Sequence, residues 1–358
     1  MESASRLAAK SFLVVRLSSM GDVIHALPAV AALRSALPQA RIGWVVEERW
    51  SELLCARGYA LGGPLSEQKP LADQVHWVRT KQWRRNPLTP ATWRDLRSSL
   101  GAVRRAKYGA AIDFQGAIRS AVIARWSGAA QILGFTAPRE APARWFYSQR
   151  VATQRPHVIE QNLELASKLT GGLKVHDAAF PRDPAAEAWC ERYCLENKIN
   201  RLVLVNPGAG WGAKQWPAER YGILARELAR DGFRVLVNYG PGEEVLAHAV
   251  AKASDDSAHA VQCSIGELIA LTRRASLFVG GDTGPLHLAA ALKVPVVAIF
   301  GPTDPARNGP FGTRSAVLRN PESTTSHARR NETEAGLLRI TAEEAAAAAR
   351  KLLSGDAA

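Results

Sequence analysis

Four turns in the sequence carry the glycine and polar residues that suit the binding of phosphate groups and reacting hydroxyls. They lie at 18–22 (SSMGD), 206–214 (NPGAGWGAK), 240–244 (GPGEE) and 281–287 (GDTGPLH). Each follows an apolar run of strand length and precedes a helical pattern. Open parallel sheets bind ligands at the carboxyl ends of their strands, where helix N-termini present free amides. Three of the four turns belong to the second half of the chain, which is therefore the better candidate for holding a nucleotide.

The turn at 281–287 has the most complete set of anion-binding features. Its two flanking glycines allow a ligand to approach the backbone, Thr283 offers a hydroxyl, and the helix that follows points its first amides outward. His287 falls in the first turn of that helix and could donate to the same anion. A plain strand-to-helix turn, in which Asp282 caps the helix, is the alternative.

Residues 208–213 (GAGWGA) match the dinucleotide fingerprint G-x-G-x-x-G/A in form. That fingerprint requires a helix to begin within the glycines, whereas Pro217 indicates a later start. No acidic residue ends the following strand either. We therefore interpret the stretch as a flexible loop that brings Lys214 to a diphosphate, in preference to a nicotinamide site.

Two carboxylates stand where strands end. Asp22 lies in the turn after the first strand, where it could act as a general base for an acceptor hydroxyl. Helix capping is the alternative role. Glu244 could accept both hydroxyls of a ribose, although the helix dipole also favours a glutamate at a helix N-terminus. The neighbouring Glu243 fits either role.

The sequence lacks the motifs of several other classes of enzyme and binding site. It contains no D-x-D triplet and no His, Cys and Asp spacing typical of a metal site, so we expect neither a metal nor a cofactor. A Walker A loop and a G-x-S-x-G elbow are also missing, which argues against an ATPase and a serine hydrolase. The four cysteines form no C-x-x-C pair and are interpreted as free thiols. Charge on a leaving diphosphate would then be met by Lys214 and helix amides.

Strand and helix patterns alternate through both halves of the chain. A strand at 11–17, a helix at 23–37 and a strand at 41–48 form a βαβ unit, which implies parallel strands. The alternation resumes after a stretch at 170–187 that contains glycine and proline and has little periodicity, and which we interpret as an interdomain linker.

The alternation predicts an α/β protein of two Rossmann-like domains, 1–178 and 179–334, with parallel sheets facing a cleft. Residues 341–353 are rich in alanine and begin with the capping box formed by Thr341 and Glu344. They predict a last helix, which we expect to pack back on the first domain.

Composition and charge narrow the class of protein further. The 358 residues are 47% hydrophobic and 22% charged, as in a globular protein. The formal net charge is +13, and residues 1–178, with 25 Lys and Arg against 13 Asp and Glu, carry almost all of it. We therefore expect the first domain to meet an anionic partner or surface. No apolar run has the length of a membrane span or the form of a signal peptide, which predicts a cytoplasmic protein with at most peripheral membrane contact.

A basic segment with tryptophan begins near residue 81 and is followed by further arginines. These side chains offer several forks for phosphate or carboxylate, and a solvated basic face is the plain alternative. The chain shows no helix-turn-helix, RNP or zinc-finger pattern, so we predict no nucleic-acid partner. The residues concerned are Lys81, Trp83, Arg84, Arg85, Arg119, Arg139 and Arg144.

Four segments occur in an order that is itself informative. They are VVRLSSMGDVIHALPAVAALRSALP (14–38), DFQGAIRSA (113–121), KQWP (214–217) and GDTGPLHLAAAL…GPTDP (281–305). Together they resemble glycosyltransferase family 9. The resemblance implies a GT-B fold and inverting, metal-independent transfer of L-glycero-D-manno-heptose. The donor would be ADP-heptose, bound by the second domain, and the acceptor the Kdo (3-deoxy-octulosonic acid) of Kdo-lipid A, bound by the first.

The implied pathway is the synthesis of the lipopolysaccharide inner core at the cytoplasmic face of the inner membrane, whose anionic surface the protein would contact peripherally. A member of the same family with another sugar donor or acceptor is the alternative.

The resemblance also implies roles for single positions. Asp22 matches the catalytic base, Lys214 the lysine on the diphosphate and Glu244 the acid on the ribose. The implied donor-binding residues are Ala209, Gly210, Lys214, Glu244, Cys263, Asp282, Thr283, Gly284 and His287, and the implied acceptor-binding residues are Trp83, Arg84, Arg85, Arg139 and His157.

The sequence departs from the family pattern at three places. Ala209 and Gly210 stand where relatives can carry two threonines, so backbone amides must replace hydroxyl contacts to phosphate. Cys263 stands where relatives have a methionine near the adenine pocket. Gln82 interrupts the basic acceptor cluster, so acceptor contacts can differ.

Overall fold

A computed structural model describes residues 11–326, 328 and 331–355 of the chain. The chain forms two compact units that divide between Asp183 and Pro184, within the predicted linker. Each unit holds one six-stranded sheet, and the described strand pairs of both sheets are parallel. The predicted α/β class with two Rossmann-like domains is confirmed.

The first unit alternates strands and helices throughout. Its strands are β1 (Ser11–Val15), β2 (Arg41–Glu47), β3 (Gln74–Val78), β4 (Ala110–Asp113), β5 (Gln131–Phe135) and β6 (Gln149–Val151). Its α-helices are α1 (Met20–Ala36), α2 (Thr80–Arg85), α3 (Pro90–Arg105), α4 (Ile118–Trp126) and α5 (Val158–Ser167). The strands are arranged in the order β3-β2-β1-β4-β5-β6.

The central strands of this sheet are apolar on both faces. Such continuous burial is typical of parallel strands covered by helices on both sides. Leu13 and Val15 of β1 share a core with Val45 of β2 and with Val103 and Ala121 from α3 and α4. The packing holds the carboxyl ends of β1 and β4 side by side, and the candidate turn of this unit, at 18–22, starts beside the turn that follows β4.

The second unit repeats the alternation. Its strands are β7 (Leu202–Asn206), β8 (Arg234–Tyr239), β9 (Ala258–Gln262), β10 (Ala275–Gly281), β11 (Val296–Phe300) and β12 (Ser315–Arg319). Its α-helices are α6 (Pro184–Glu196), α7 (Ala218–Arg230), α8 (Glu244–Ala253), α9 (Ile265–Arg274), α10 (Gly284–Ala291), α11 (Pro305–Asn308) and α12 (Ala342–Ser354). The strands are arranged in the order β12-β11-β10-β7-β8-β9.

The last helix, α12, belongs to the second unit, so the expectation that it packs on the first domain is wrong. Ala345, Ala349 and Leu352 lie in the same core as Trp216 and Tyr221 of the second unit. The Trp216 indole donates to the carbonyl just before the helix over 3.0 Å. The small alanine face packs against α7 and strands β10 to β12, and this hydrogen bond fixes where the helix starts.

Both sheets have one strand order when each is counted from the first strand of its own unit, namely 3-2-1-4-5-6. The chain direction across the sheet reverses between β1 and β4 in the first unit and between β7 and β10 in the second. Ligands of open α/β sheets bind at this reversal, outside the carboxyl ends of the strands. The turns that follow these four strands are therefore the expected ligand-binding positions.

The helices of the described residues are all too short or too polar to cross a bilayer.

Candidate active site

In the first unit, Asp22 lies in the turn at the end of β1. It is the third residue of α1, and Ser19 is the residue that caps the helix. One carboxylate oxygen of Asp22 accepts from the Ser19 amide over 2.8 Å and from the Ser19 hydroxyl over 2.9 Å. Asp22 therefore supports the helix start from inside the first turn, and its side chain is still one-third exposed, at 34%.

The other Asp22 oxygen is paired with Arg16, a buried residue directly after β1. The Arg16 guanidinium also donates to the carbonyl of Phe114, which follows β4. Burial raises the pKa of Asp22, but the Arg16 charge and the hydrogen bonds from Ser19 outweigh it and lower the pKa to about 2. Asp22 is thus an ionised carboxylate at neutral pH with an accessible side.

The turn after β4 is held by a buried carboxylate. Asp113 accepts from the Tyr147 hydroxyl over 2.7 Å, from the Ser120 hydroxyl over 2.9 Å and from the Gln115 amide over 2.9 Å. Burial raises the pKa of Asp113. The Gln115 side chain accepts from the Leu17 amide over 2.8 Å, which joins this turn to the turn after β1. The two turns at the reversal therefore form one rigid edge.

The predicted acceptor residues fall into an exposed group and a buried group. Arg84 and Arg85 are exposed at the end of α2, whereas the indole of the half-buried Trp83 donates to Asp95 over 2.7 Å. Arg139 is exposed, and its backbone lies close to Gly116 in the turn after β4. Among these predicted acceptor residues, Arg139 is thus the one that lies beside the edge formed by the turns after β1 and β4.

His157, the last predicted acceptor residue, is buried and is not on the exposed basic surface. It caps α5 by accepting from the Ile159 amide over 3.2 Å. Its ring meets His25 of α1 edge to face, with ring centres 6.1 Å apart. His25 lies one helical turn beyond Asp22 and lowers the pKa of that carboxyl. His157 therefore contacts His25, and His25 in turn acts on Asp22.

In the second unit, an ion pair joins the turns after β7 and β10. The Lys214 ammonium lies 2.5 Å from one oxygen of Asp282, and the His287 ring nitrogen lies 3.0 Å from the other. Burial raises the pKa of Asp282, but His287 and Lys214 outweigh it and hold the pKa well below its usual range. Asp282 does not cap the helix, since Thr283 occupies the cap position of α10. The helix-cap alternative for Asp282 is wrong.

The glycine loop before Lys214 does not open a helix. The chain passes through a short 3₁₀ turn at Gly212–Lys214, and α7 begins only at Ala218. In the loop, Ala209 is half-buried and Gly210 is exposed. The Lys214 ammonium lies over the Trp211 ring at 4.6 Å, a cation–π contact that steadies the lysine. This geometry does not match a dinucleotide fingerprint.

The two neighbouring glutamates at the start of α8 differ in what they contact. Glu243 accepts from the Gly240 amide over 2.8 Å, and its carboxylate fills the space beside Gly208. Glu244 is exposed in the first helical turn. Glu243, and not the predicted Glu244, is the carboxylate brought to the loop after β7.

Cys263 follows β9 and is half-buried against the core that contains Cys190. Burial, followed by the nearby charge of Glu267, raises the pKa of the Cys263 thiol far above its usual value. The side chain is thus an apolar contact and stays neutral. Gly284 is the first residue of α10, beside Thr283.

The sequence reasoning missed the residues that hold the predicted ones in place. Arg16 pairs with Asp22, and Asp113 and Gln115 fix the adjoining turn. The sequence does hold one signal for Arg16: a charged residue directly follows an apolar run, two residues before a polar turn. Asp113 carried a similar signal at the end of β4.

The fold and the turns together define a class. The two Rossmann-like units of this chain form a GT-B fold, as in similar solved glycosyltransferases, and here one unit bears an accessible carboxylate and the other a cationic turn. Residues 96–338 match the family described as "Glycosyltransferase family 9 (heptosyltransferase)". The chain belongs to glycosyltransferase family 9, as its motifs predict, and is an enzyme of the glycosyltransferase class.

Individual relatives agree with the family. The chain is 30% identical to lipopolysaccharide heptosyltransferase 1 of Pseudomonas aeruginosa over 315 residues, covering 85% of this chain and 82% of the relative. It is 28% identical to lipopolysaccharide heptosyltransferase 1 of Escherichia coli K12, covering 86% and 93%. The solved structure of E. coli heptosyltransferase WaaC with ADP is similar with a TM-score of 0.76 and 26% identity, covering 97% of this chain and 100% of that chain.

Proposed function

We propose that the protein transfers L-glycero-D-manno-heptose from ADP-heptose to the Kdo of Kdo-lipid A, with inversion and without a metal ion. Two observations support the donor. The similar relatives are lipopolysaccharide heptosyltransferases, and similar structures contain ADP and ADP-2-deoxy-2-fluoro heptose. The excess positive charge of residues 1–178 supports an acceptor that carries phosphates and carboxylates.

Asp22 is proposed as the general base, and its partly exposed, ionised carboxylate is the observation that carries the mechanism. It takes the proton of a Kdo hydroxyl as the hydroxyl oxygen bonds to the anomeric carbon of the heptose. The bond from that carbon to the diphosphate breaks in the same step, ADP leaves, and the configuration inverts. With a pKa of about 2, the carboxylate is a weak base for a free alcohol. Proton transfer must therefore accompany bond formation, which acidifies the hydroxyl.

Lys214 is proposed to stabilise the charge that develops on the leaving diphosphate, together with the amides at Thr283 and Gly284. Asp282 holds the lysine in place, and His287 holds Asp282. A fixed ammonium at this turn supplies the positive charge that a divalent cation supplies in other transferases. This is the basis for proposing metal independence.

The remaining donor contacts are proposed from the turns around β7, β8 and β9. We propose Glu243 as the ribose carboxylate in place of Glu244, since its carboxylate lies beside the glycine loop. The backbone of Ala209 and Gly210 would donate to phosphate, and Cys263 would contact the adenine.

On the acceptor side, Arg84, Arg85 and Arg139 are proposed to bind the anionic groups of Kdo-lipid A, with Trp83 and His157 shaping their surroundings. The acceptor is a membrane lipid, so we also propose peripheral contact with the cytoplasmic face of the inner membrane.

A direct assay tests the proposal and its alternative within the family. The purified protein is mixed with ADP-heptose and Kdo-lipid A, with and without EDTA, and the product is identified by mass spectrometry. We expect one heptose added per acceptor, unchanged by EDTA. Parallel reactions with UDP- and GDP-sugars, and with an acceptor that already carries heptose, would identify a different donor or acceptor if the main reaction fails.

A further inference from the structure

A long groove runs along α3 on the flank of the first unit and contains none of the residues assigned to the candidate site. Its volume is about 1060 Å³. One wall is a stripe of α3 in which Trp93, Leu96 and Leu100 recur at helical spacing. The rest of the lining includes the end of α4 and the loop that follows it, with Trp126 and Ala130. The groove is therefore an elongated channel open to solvent.

The groove combines an apolar lining with positive charge. Arg97, Arg104, Arg105 and Lys107 line it, and the lining includes no acidic residue. An apolar channel with a purely cationic border is chemically suited to an amphiphile whose polar end is anionic.

Both tryptophans in the lining of the groove are exposed. Trp93 is 52% exposed and Trp126 is 48% exposed. Arg104 lies over the Trp126 ring at 5.5 Å and donates to the Trp126 carbonyl over 3.2 Å. Ile118 and Val122 are also exposed and precede Trp126 at four-residue spacing, so they continue the same face of α4. Exposed tryptophan beside arginine is the composition found where proteins meet the membrane–water boundary.

We propose that this groove binds an anionic phospholipid of a membrane surface, with the lipid phosphate on the arginines and one acyl chain along the apolar stripe of α3. The proposal rests on the membrane contact proposed above and identifies the surface that makes it. A nucleic-acid strand would place a charged backbone along apolar walls, which is unfavourable. The observed pairing of apolar channel and cationic border favours the lipid.

The charge requirement is tested by sedimenting the full chain with vesicles of phosphatidylcholine alone or mixed with phosphatidylglycerol. We expect binding to depend on phosphatidylglycerol and to weaken at high salt. The double variant Arg97→Gln/Arg105→Gln should bind about 25-fold more weakly, roughly five-fold for each charge. Arg192→Gln/Arg314→Gln, which removes the same charge from exposed positions of the second unit, should bind like the unaltered protein.

The proposal that an acyl chain lies in the groove is tested with Gly101→Leu. Gly101 lines the groove in the C-terminal half of α3, where an added Cβ comes no closer than 3.0 Å to a neighbouring atom, the tip of the Arg105 side chain. Leucine also favours a helix more than glycine does, so the variant should fold. We expect its affinity for the mixed vesicles to fall about tenfold, as when roughly two methylenes lose their apolar contact.

Three results would overturn the proposal. The protein could bind both vesicle types equally, the charge variant could match its control, or Gly101→Leu could bind as well as or better than the unaltered protein. The last result would show that the protein adsorbs on the vesicle surface without an acyl chain entering the groove. No donor or acceptor is present in these measurements. The lipid proposal can therefore fail while heptose transfer is observed, and heptose transfer can fail while lipid binding is observed.

Discussion

The Lys214 ammonium and the Asp282 carboxylate meet at 2.5 Å and so join two turns that are 68 residues apart in the chain. Both side chains are largely buried, at 13% and 7% exposure. The pair sits where the strand order of the second unit reverses, and it leaves the lysine fixed with little freedom to lose on binding. An anion that enters this turn therefore meets a cation already in place.

Replacing Lys214 tests the role of this pair. We expect Lys214→Met to weaken ADP binding about 10- to 100-fold, the range for loss of a hydrogen bond to a charged group. The melting temperature should also fall, because Asp282 loses one partner while buried. Calorimetric titration with ADP measures the affinity, with Lys252→Met on the exposed side of α8 as the matched control. An ADP affinity equal to that of the control would remove Lys214 from the donor site.

Replacing Asp22 separates chemistry from binding. Asp22→Asn keeps an oxygen that can accept from Ser19, so the start of α1 should survive. We expect kcat to fall about 10²- to 10⁴-fold, the usual contribution of a general base, with the Kd for ADP nearly unchanged. Release of ADP from ADP-heptose and Kdo-lipid A gives the rate. Asp256→Asn, at an exposed position, serves as control, and turnover near the control's would defeat the assignment of Asp22 as base.

The neighbouring glutamates of α8 form their own matched pair. Glu243→Gln should lower the affinity for ADP about tenfold, since a charged acceptor for the ribose hydroxyls becomes neutral. Its affinity for 2′-deoxy-ADP should change less. Glu244→Gln should leave both affinities unchanged. If the two variants exchange these behaviours, the ribose contact belongs to Glu244, as the family resemblance implies.

His76 makes the stability of the first unit depend on pH. It is buried in β3 with its ring nitrogen 2.8 Å from the Tyr108 hydroxyl, and burial, followed by the charge of Arg41, lowers its pKa to about 4. The unfolded chain binds this proton below pH about 6.5, so stability is lost as the pH falls from there towards 4. Linkage gives a loss of about 2 kcal/mol at pH 5 relative to pH 7.

Urea unfolding at pH 7 and pH 5 measures this loss. In His76→Gln the difference between the two pH values should shrink by about the same amount, whatever the variant's stability at pH 7. An equal pH dependence in both proteins would show that His76 is not the titrating group.

The alternation of elements and the turns that bear the site could be predicted because both depend on local patterns. Apolar runs of strand length and polar glycine turns are visible in any parallel α/β sequence. The destination of α12 could not be predicted, since an alanine-rich face fits many apolar surfaces. The partner of Asp22 is likewise a tertiary property, because Arg16 and Phe114 meet only when β1 and β4 pair.

Which of Glu243 and Glu244 contacts the glycine loop could not be predicted from the sequence either. The two positions differ by a rotation of about 100° around the helix axis. That rotation decides which carboxylate meets the glycine loop, and it is set by where the helix begins.

The two reversal points carry ion pairs of opposite polarity. At the first, the arginine is buried and the carboxylate is the more exposed partner. At the second, both side chains are largely buried, and the lysine is the slightly more exposed partner, at 13% against 7%. The roles proposed for Asp22 and Lys214 thus follow from which partner of each pair the fold leaves more accessible, a carboxylate in the first unit and a cation in the second.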